Sequence, residues 1–437
     1  MRGPPTRKTW FALLAAVVVV GAAVAVPVAV FSSGGSAPKA PKAAKAPSAR
    51  VQRWRADIAY LASELPRVRV DGLGAVSRAA WASAASRLEE EVPRLTDGQL
   101  LVGMARMVAL LHDDETNLAF PPGPFYPLDA QWFGRSLYLL TVPAQDRALL
   151  GAQLLAVDGQ PIDQVMDRIG SVIDHQDPGL LQAEETGYLD DAALLHWLGI
   201  TRSATSARFT LRTAAGRDQT VLFQADPGPA FIGQPDLLFS FVPGVASVPL
   251  PLYLHDAAAP YWIDVLAGQD AVYLKYNECL DTTGFQQLAA RAVALLKQHP
   301  AYRLIVDLRD NVGGDTAPFG PLLASLAADP AIDRPGRIFG LVNQFTDSSA
   351  RDDAVALQAA HGLLVGTPPE DPIDEYGNEA TFPLPDSDIT VVYTQIIVNP
   401  TGAAQGTPNV MIAPTLRQVL AGADPVLAAA LSYGAGG

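Results

Sequence analysis

The residues best suited to chemistry lie in the carboxy-terminal third, where Gln344-Phe345-Thr346-Asp347-Ser348-Ser349 interrupts an otherwise regular pattern. An apolar run, Ile338 to Val342, precedes this polar cluster, and a helix-like run from Ala350 to Ala360 follows it. The order strand, turn, helix sets a serine hydroxyl beside the unpaired backbone N–H groups of a helix start, which is where an acyl-transfer nucleophile is best served. The same residue types are also the preferred helix N-caps, so by itself the segment also reads as a structural cap.

Two further stretches bear on that choice. Gly313-Gly314 follows the continuous apolar strand Arg303 to Leu308, and taken alone such a pair is an ordinary turn. His112-Asp113-Asp114-Glu115-Thr116 ends an amphipathic helix, where a polar cluster is commonly no more than a solvated helix end. Cys279 is the only cysteine, which excludes an intramolecular disulfide and a Cys/His zinc site. The chain has no HExxH, no phosphate-binding glycine loop and no clustered metal ligands, so its sequence implies no metal and no organic cofactor.

The elements that must position these residues read as follows. Val51, Trp54, Ile58 and Leu61 share one helical face, and Pro66 closes that helix; a second covers Val76 to Val92. A third opens on the capping-box pattern Thr96-Asp97-Gly98-Gln99 and carries Leu100, Met104, Met107, Val108 and Leu111 on one stripe. Strands follow at Leu137 to Val142 and Ala152 to Val157, then a short helix from Ile162 to Ile173, a helical excursion over 175–200, and a hairpin of Arg208 to Arg212 with Thr220 to Gln224. Small strands around one short helix suggest a module that could receive a peptide strand at its edge. Residues 225–260 show no clear period. Beyond them strands and helices alternate: strands Ala271 to Tyr276, Arg303 to Leu308 and Thr390 to Val398, helices Gly284 to Gln298 and Thr316 to Ala328, and one or two closing helices within Leu416 to Leu431. That alternation means an α/β sheet covered by helices.

Length and composition set the wider frame. A chain of 437 residues is long for one core and should hold roughly two or three units. The formal charge is −14, yet residues 1–50 hold seven Lys or Arg and no acid, so the body beyond them is strongly acidic. An acidic body without a basic, aromatic-interleaved patch excludes nucleic acid as the expected partner. Arg2, Arg7 and Lys8 precede an apolar run from Trp10 to Phe31 broken only by Pro27. The run is long enough to span a bilayer, with residues 1–9 on the cytoplasmic side. A cleaved signal peptide, with Ala23-Val24-Ala25 at the cut, is the alternative. Residues 32–50 have the composition of a disordered linker.

Several segments together resemble the tail-specific, or carboxy-terminal-processing, serine peptidase family and its tricorn-like relatives. Asp307-Leu308-Arg309-Asp310-Asn311-Val312-Gly313-Gly314 resembles that family's DLRxNxGG signature, with Tyr276-Asn277 on the preceding strand. Thr346-Asp347-Ser348-Ser349-Ala350 resembles the TxSSA segment that bears the nucleophile. Val365-Gly366-Thr367, Leu384-Pro385-Asp386-Ser387 and Gly422-Ala423-Asp424-Pro425-Val426-Leu427 resemble its later landmarks. The resemblance implies a crotonase-like α/β catalytic core with an amino-terminal helical cap and a small PDZ-like, β-rich module. It implies Ser348 as nucleophile, the N–H groups of Gly314 and Ser349 as oxyanion donors, and Gly313 and Asn311 as substrate-binding residues. The chain departs from the family at the base. No lysine follows Lys297, and where the Ser/His branch has histidine in GDxHT this chain has Glu115, which leaves Glu115 or His112 as a nonstandard base. His361 would lie about 15–20 Å along its helix from Ser348, at ~1.5 Å per residue.

The expected organisation is a cytoplasmic end (1–9), an anchor or signal segment (10–31), a linker (32–50), a helical cap (51–120), a PDZ-like module with a helical insert (121–225), a connecting segment (226–260) and a peptidase-like domain (261–437). Two functions are left open by the sequence. One is an exported, membrane-tethered serine peptidase cleaving unstructured or carboxy-terminal polypeptide segments. The other is an inactive pseudo-peptidase that binds polypeptides at the cell envelope.

Overall fold

A computed structural model of the chain describes residues 47–121, 123–175, 178–226, 237–239, 250–280, 282–369, 375–398 and 406–434. The expected anchor at 10–31 and most of the linker at 32–50 lie outside them. Among the described residues no helix is long and apolar enough to cross a membrane.

Helices Ala49–Val68, Arg78–Glu91 and Asp97–Val108 open the described chain. The first buries Val51, Trp54, Ile58, Leu61 and Leu65, a stripe at helical spacing, against Trp81, Ala85 and Leu88 of the second and Leu100, Met104 and Val108 of the third. Pro66 does not close the first helix, which runs on through Val68. Proline has no N–H to give the carbonyl four residues back, and here the indole N–H of Trp81 donates to that carbonyl, Ala62 O, at 2.9 Å. The third helix carries the expected capping box between Thr96 and Gln99.

An antiparallel sheet follows, ordered Asp129–Phe133, Ser136–Pro143, Gln153–Val157, Ser206–Arg212, Asp218–Gln224. Strand Asp129–Phe133 is not among the strands expected from the sequence, and its hairpin pairing with Ser136–Pro143 supplies the register. Within the otherwise aperiodic 225–260 stretch, Leu237–Phe239 pairs antiparallel with Thr141 to Pro143.

The site-bearing sheet has six strands in the order Val410–Met411, Leu363–Gly366, Ile338–Val342, Arg303–Asp307, Ala271–Tyr276, Tyr261–Leu266. Neighbours are parallel except at the last pair, which is antiparallel. Both faces are covered, which is why its central strands read as unbroken apolar runs. One face packs Val272, Leu274, Leu304, Val306 and Ile338 against helices Thr282–Gln298, Gly320–Ala327 and Ser349–Ala359. The other packs Tyr273, Ile305, Phe339 and Leu341 against Val426, Leu427 and Ala430 of helix Pro425–Ser432. The mixed helix-and-sheet class read from the sequence is the one observed.

Two elements differ from expectation. Thr390 to Val398 is two strands, Thr390–Tyr393 and Ile396–Val398, in separate sheets. The break at Thr394 lets its buried hydroxyl donate to Asp113 Oδ2 at 2.9 Å. The helix expected from Thr316 starts only at Gly320, because the Asp315 side chain and the Phe319 amide first close a turn.

A buried ionic network locks the parallel sheet to its closing helix. Arg309 bonds Asp307 through Nε and Nη2 and forks onto both oxygens of Asp424 at 2.9 Å each. Its guanidinium lies 4.0 Å over the Tyr253 ring. The Asp307 carboxyl also accepts from Tyr273 at 2.6 Å, and Lys275 Nζ donates to Arg309 O at 2.6 Å. Burial pushes the Asp307 carboxyl up, but Arg309 and Lys275 outweigh it and hold it below the usual range. Asp424 in turn caps helix Pro425–Ser432 by accepting from Leu427 N. Removing one partner of a buried pair strands a charge, so Asp424→Ala should lower unfolding stability by about 3–5 kcal/mol, measured by urea denaturation.

Candidate active site

Strands Arg303–Asp307 and Ile338–Val342 are parallel neighbours, so the turns that leave their carboxyl ends emerge side by side. Side chains lace the two turns together. Asn343 Nδ2 donates to Asp310 Oδ1 at 2.7 Å, while Asp310 N donates back to Asn343 Oδ1 at 3.1 Å. The buried Thr346 hydroxyl donates to Leu308 O at 3.0 Å and accepts from Asn343 N at 3.0 Å. Asp347 N donates to Asn311 O at 2.9 Å. Ser348 is thereby delivered beside the two glycines.

Ser348 stands at the entry to helix Ser349–Ala359 with φ 52° and ψ −128°. Side-chain-bearing residues rarely adopt that conformation, and holding it costs on the order of 1–3 kcal/mol. Its carbonyl starts the helix by accepting from Arg351 N and Asp352 N. Its hydroxyl makes no capping bond. The structural-cap reading of Ser348 therefore falls: the backbone is strained and the side chain is left out of helix capping.

The glycines are required by space. A Cβ on Gly313, at φ 96°, would lie 2.7 Å from Ser348 Cβ and 2.9 Å from Ser349 N. A Cβ on Gly314, at φ 136°, would lie 2.5 Å from Cys279 O. Cys279 N donates to Gly313 O at 3.1 Å, and Asp315 N donates to Cys279 O at 2.8 Å. These bonds hold the groups on either side of Gly314 to Cys279. Gly314 O itself accepts from Ser349 Oγ at 2.9 Å.

Asn311 is placed differently from expectation. It is fully buried, with Nδ2 donating to Tyr276 O at 3.0 Å and Oδ1 accepting from Gly313 N at 2.9 Å. Both ends of its amide are used inside the chain, so it braces the glycine turn and does not face a substrate. Cys279 and Asp353, both buried, also sit beneath this turn. Asp353 falls on the Ala350, Ala354, Leu357 face of its helix, and that position was the only sign in the sequence of a buried carboxyl there.

The turn of residues 112–116 is built on Asp113, which is fully buried and so is no solvated helix end. Its carboxylate takes Arg69 Nε, Thr116 N at 2.8 Å and the hydroxyls of Thr116 and Thr394 at 2.5 and 2.9 Å. His112 is exposed in a left-handed conformation, φ 53°. Its Nδ1 donates to His175 O at 3.1 Å, which leaves Nε2 as the acceptor in the neutral ring. Glu115 is partly buried, and its carbonyl accepts from Asn117 Nδ2. Among the described residues no hydrogen bond joins Ser348 to His112 or Glu115. His361 faces Asp333, 2.7 Å from Nδ1, away from Ser348.

The fold itself has a known counterpart: the chain has the fold of mature CPAF. Mature CPAF superposes with a TM-score of 0.60 at 14% identity, over 86% of this chain and 95% of that one. Mature CPAF complexed with lactacystin gives 0.59 at 13% identity, over 86% and 96%. The photosystem II D1 C-terminal processing protease aligns over 85% and 98% at 15% identity, with a TM-score of 0.39. No protein-family model matches the chain, and no curated protein does.

The tight seat of Gly314 has a direct consequence. Gly314→Ala should destabilise the fold by about 1–3 kcal/mol through strain and displacement of Cys279, read from the shift in denaturation midpoint.

Proposed function

We propose that the chain is a serine peptidase of the tail-specific type, acting on exposed polypeptide segments. The observation that carries this reading is the strained backbone of Ser348, with its hydroxyl left out of helix capping and its Cβ packed close against Gly313. Strain of that kind persists only where the surroundings enforce it, and it collects at reacting groups. A protein that merely bound peptides would not need it.

In this reading the Ser348 hydroxyl attacks a peptide carbonyl, and the resulting oxyanion accepts from the N–H groups of Gly314 and Ser349. Loss of one such donor typically slows turnover by ~10²–10³. The proton passes to the turn of residues 112–116, with His112 Nε2 or the Glu115 carboxylate as acceptor, and from there to the leaving amine. Water then releases the acyl group. Gly313 lines the cleft. Residues 51–120 act as the helical cap, 121–225 as the PDZ-like module, 226–260 as the connection and 261–437 as the crotonase-like catalytic domain. Residues 10–31 hold the chain in a membrane with its body exported. Recovery of the full-length chain in an alkaline-carbonate-soluble fraction would remove that last assignment.

The direct test is labelling of the full-length chain by a serine-directed fluorophosphonate. Labelling should appear in the parent, vanish in Ser348→Ala and be slowed by lactacystin, the ligand seen with CPAF. Labelling that survives Ser348→Ala would refute the assignment. The base is tested by His112→Ala and Glu115→Ala, of which the acting residue should slow labelling by ~10²–10⁴. Two variants that both label like the parent would rule out this turn as the source of the base.

A further inference from the structure

The glycine turn, the nucleophile helix and the end of strand Ala271–Tyr276 meet in a buried cluster. Cys279 clamps Gly314 with its backbone, while its Sγ lies 3.6 Å from Asp353 Oδ2, 3.7 Å from Asn311 Oδ1 and 3.5 Å from Asn311 Nδ2. Asn311 Oδ1 holds the Gly313 amide, and Asn311 O holds the Asp347 amide one residue before the nucleophile. Asp353 is on the nucleophile helix itself, five positions beyond Ser348 and 3% exposed. Three segments that must hold one register are therefore joined through the pair Cys279 and Asp353.

We propose that Asp353 is a positioning residue which, as the uncharged acid, keeps the Gly313-Gly314 turn in register with Ser348 through Cys279, and which releases that turn when it ionises. No cation pairs with Asp353 among the described residues. The groups facing it are the Cys279 thiol and, nearby, the Tyr276 hydroxyl on the strand side, Asp352 on its own helix and Asp315 on the turn. A carboxylate created in that setting would be desolvated and repelled by Asp352 and Asp315, with one weak thiol donor in compensation. Burial first, then the two acids, push the Asp353 carboxyl up to about 8 against the thiol bond. The acid therefore persists through neutrality.

The sign follows from proton linkage. Because the folded protein holds this proton more tightly than the unfolded chain, the stability tied to it is complete under acid conditions, declines as pH rises, and is gone once pH passes about 8. The bracket should loosen in the same window. Cys279 has no competing ionisation there, since burial pushes its thiol well above the ordinary range.

The labelling arm of the test rests on the peptidase reading, and the exchange arm does not. Fluorophosphonate labelling of the full-length parent should fall above pH 8 by roughly tenfold per pH unit relative to Asp353→Asn, which keeps shape and cannot ionise. Cys279→Ala, which removes the thiol that joins Asp353 to the turn, should abolish the fall above pH 8. Independently, hydrogen exchange at the amides of Gly313, Asp315 and Cys279, corrected for intrinsic rate, should lose protection above pH 8 in the parent and keep it in Asp353→Asn. If Ser348 does not label at all, the peptidase reading fails and the exchange arm alone decides. Equal protection in parent and Asp353→Asn across pH 6–10, or superimposable labelling profiles, would overturn the proposal.

Discussion

The hydrogen bond from Asp347 N to Asn311 O joins two turns that are far apart in sequence, and the geometry around Ser348 depends on it. It can form only because strands Arg303–Asp307 and Ile338–Val342 are parallel neighbours whose carboxyl ends open on the same side of the sheet. Once it forms, the serine turn and the glycine turn approach so closely that no side chain fits at Gly313. The backbone of Ser348 is then forced out of the ordinary helical entry and its hydroxyl is withheld from capping. Sheet topology, glycine chemistry and nucleophile geometry are thus one constraint seen at three scales.

A second layer keeps that constraint in place. Arg309 is only two residues before Asn311, yet its guanidinium turns to the opposite face of the sheet, where it joins Asp307 to Asp424 and so ties the glycine turn to the last helix. Two segments whose motifs stand apart in the sequence, Asp307 to Gly314 and Gly422 to Leu427, turn out to be halves of one salt-bridged joint. Their types are set by burial. A guanidinium this deep needs two carboxylates and a ring face to offset its lost hydration.

Much of this was legible beforehand where the signal is local. The strand Ile338–Val342 and the helix starting at Ser349 follow from periodicity, and the capping box at Thr96 follows from residue types three apart. What was not legible depended on distant partners. The run through Pro66 needs Trp81, the break at Thr394 needs Asp113, and the burial of Asp113 itself needs Arg69 and Thr394. Asn311 shows the same limit at the site: its motif marked it as important, but only its contacts reveal a brace and not a substrate contact.

The short pairing of Asn117 with Val392 and Leu118 with Val391 also has a temporal side. A ribosome releases the amino-terminal helices long before it has made Thr390–Tyr393, so the segment next to the 112–116 turn must wait, its strand partner not yet in existence. Strand Val410–Met411 and the Asp424 joint come later still. The stretch bearing His112 and Glu115 is thus completed only after Thr394 has been made, and a nascent or truncated chain lacks the Arg309 joint behind the glycine turn until Asp424 has been made.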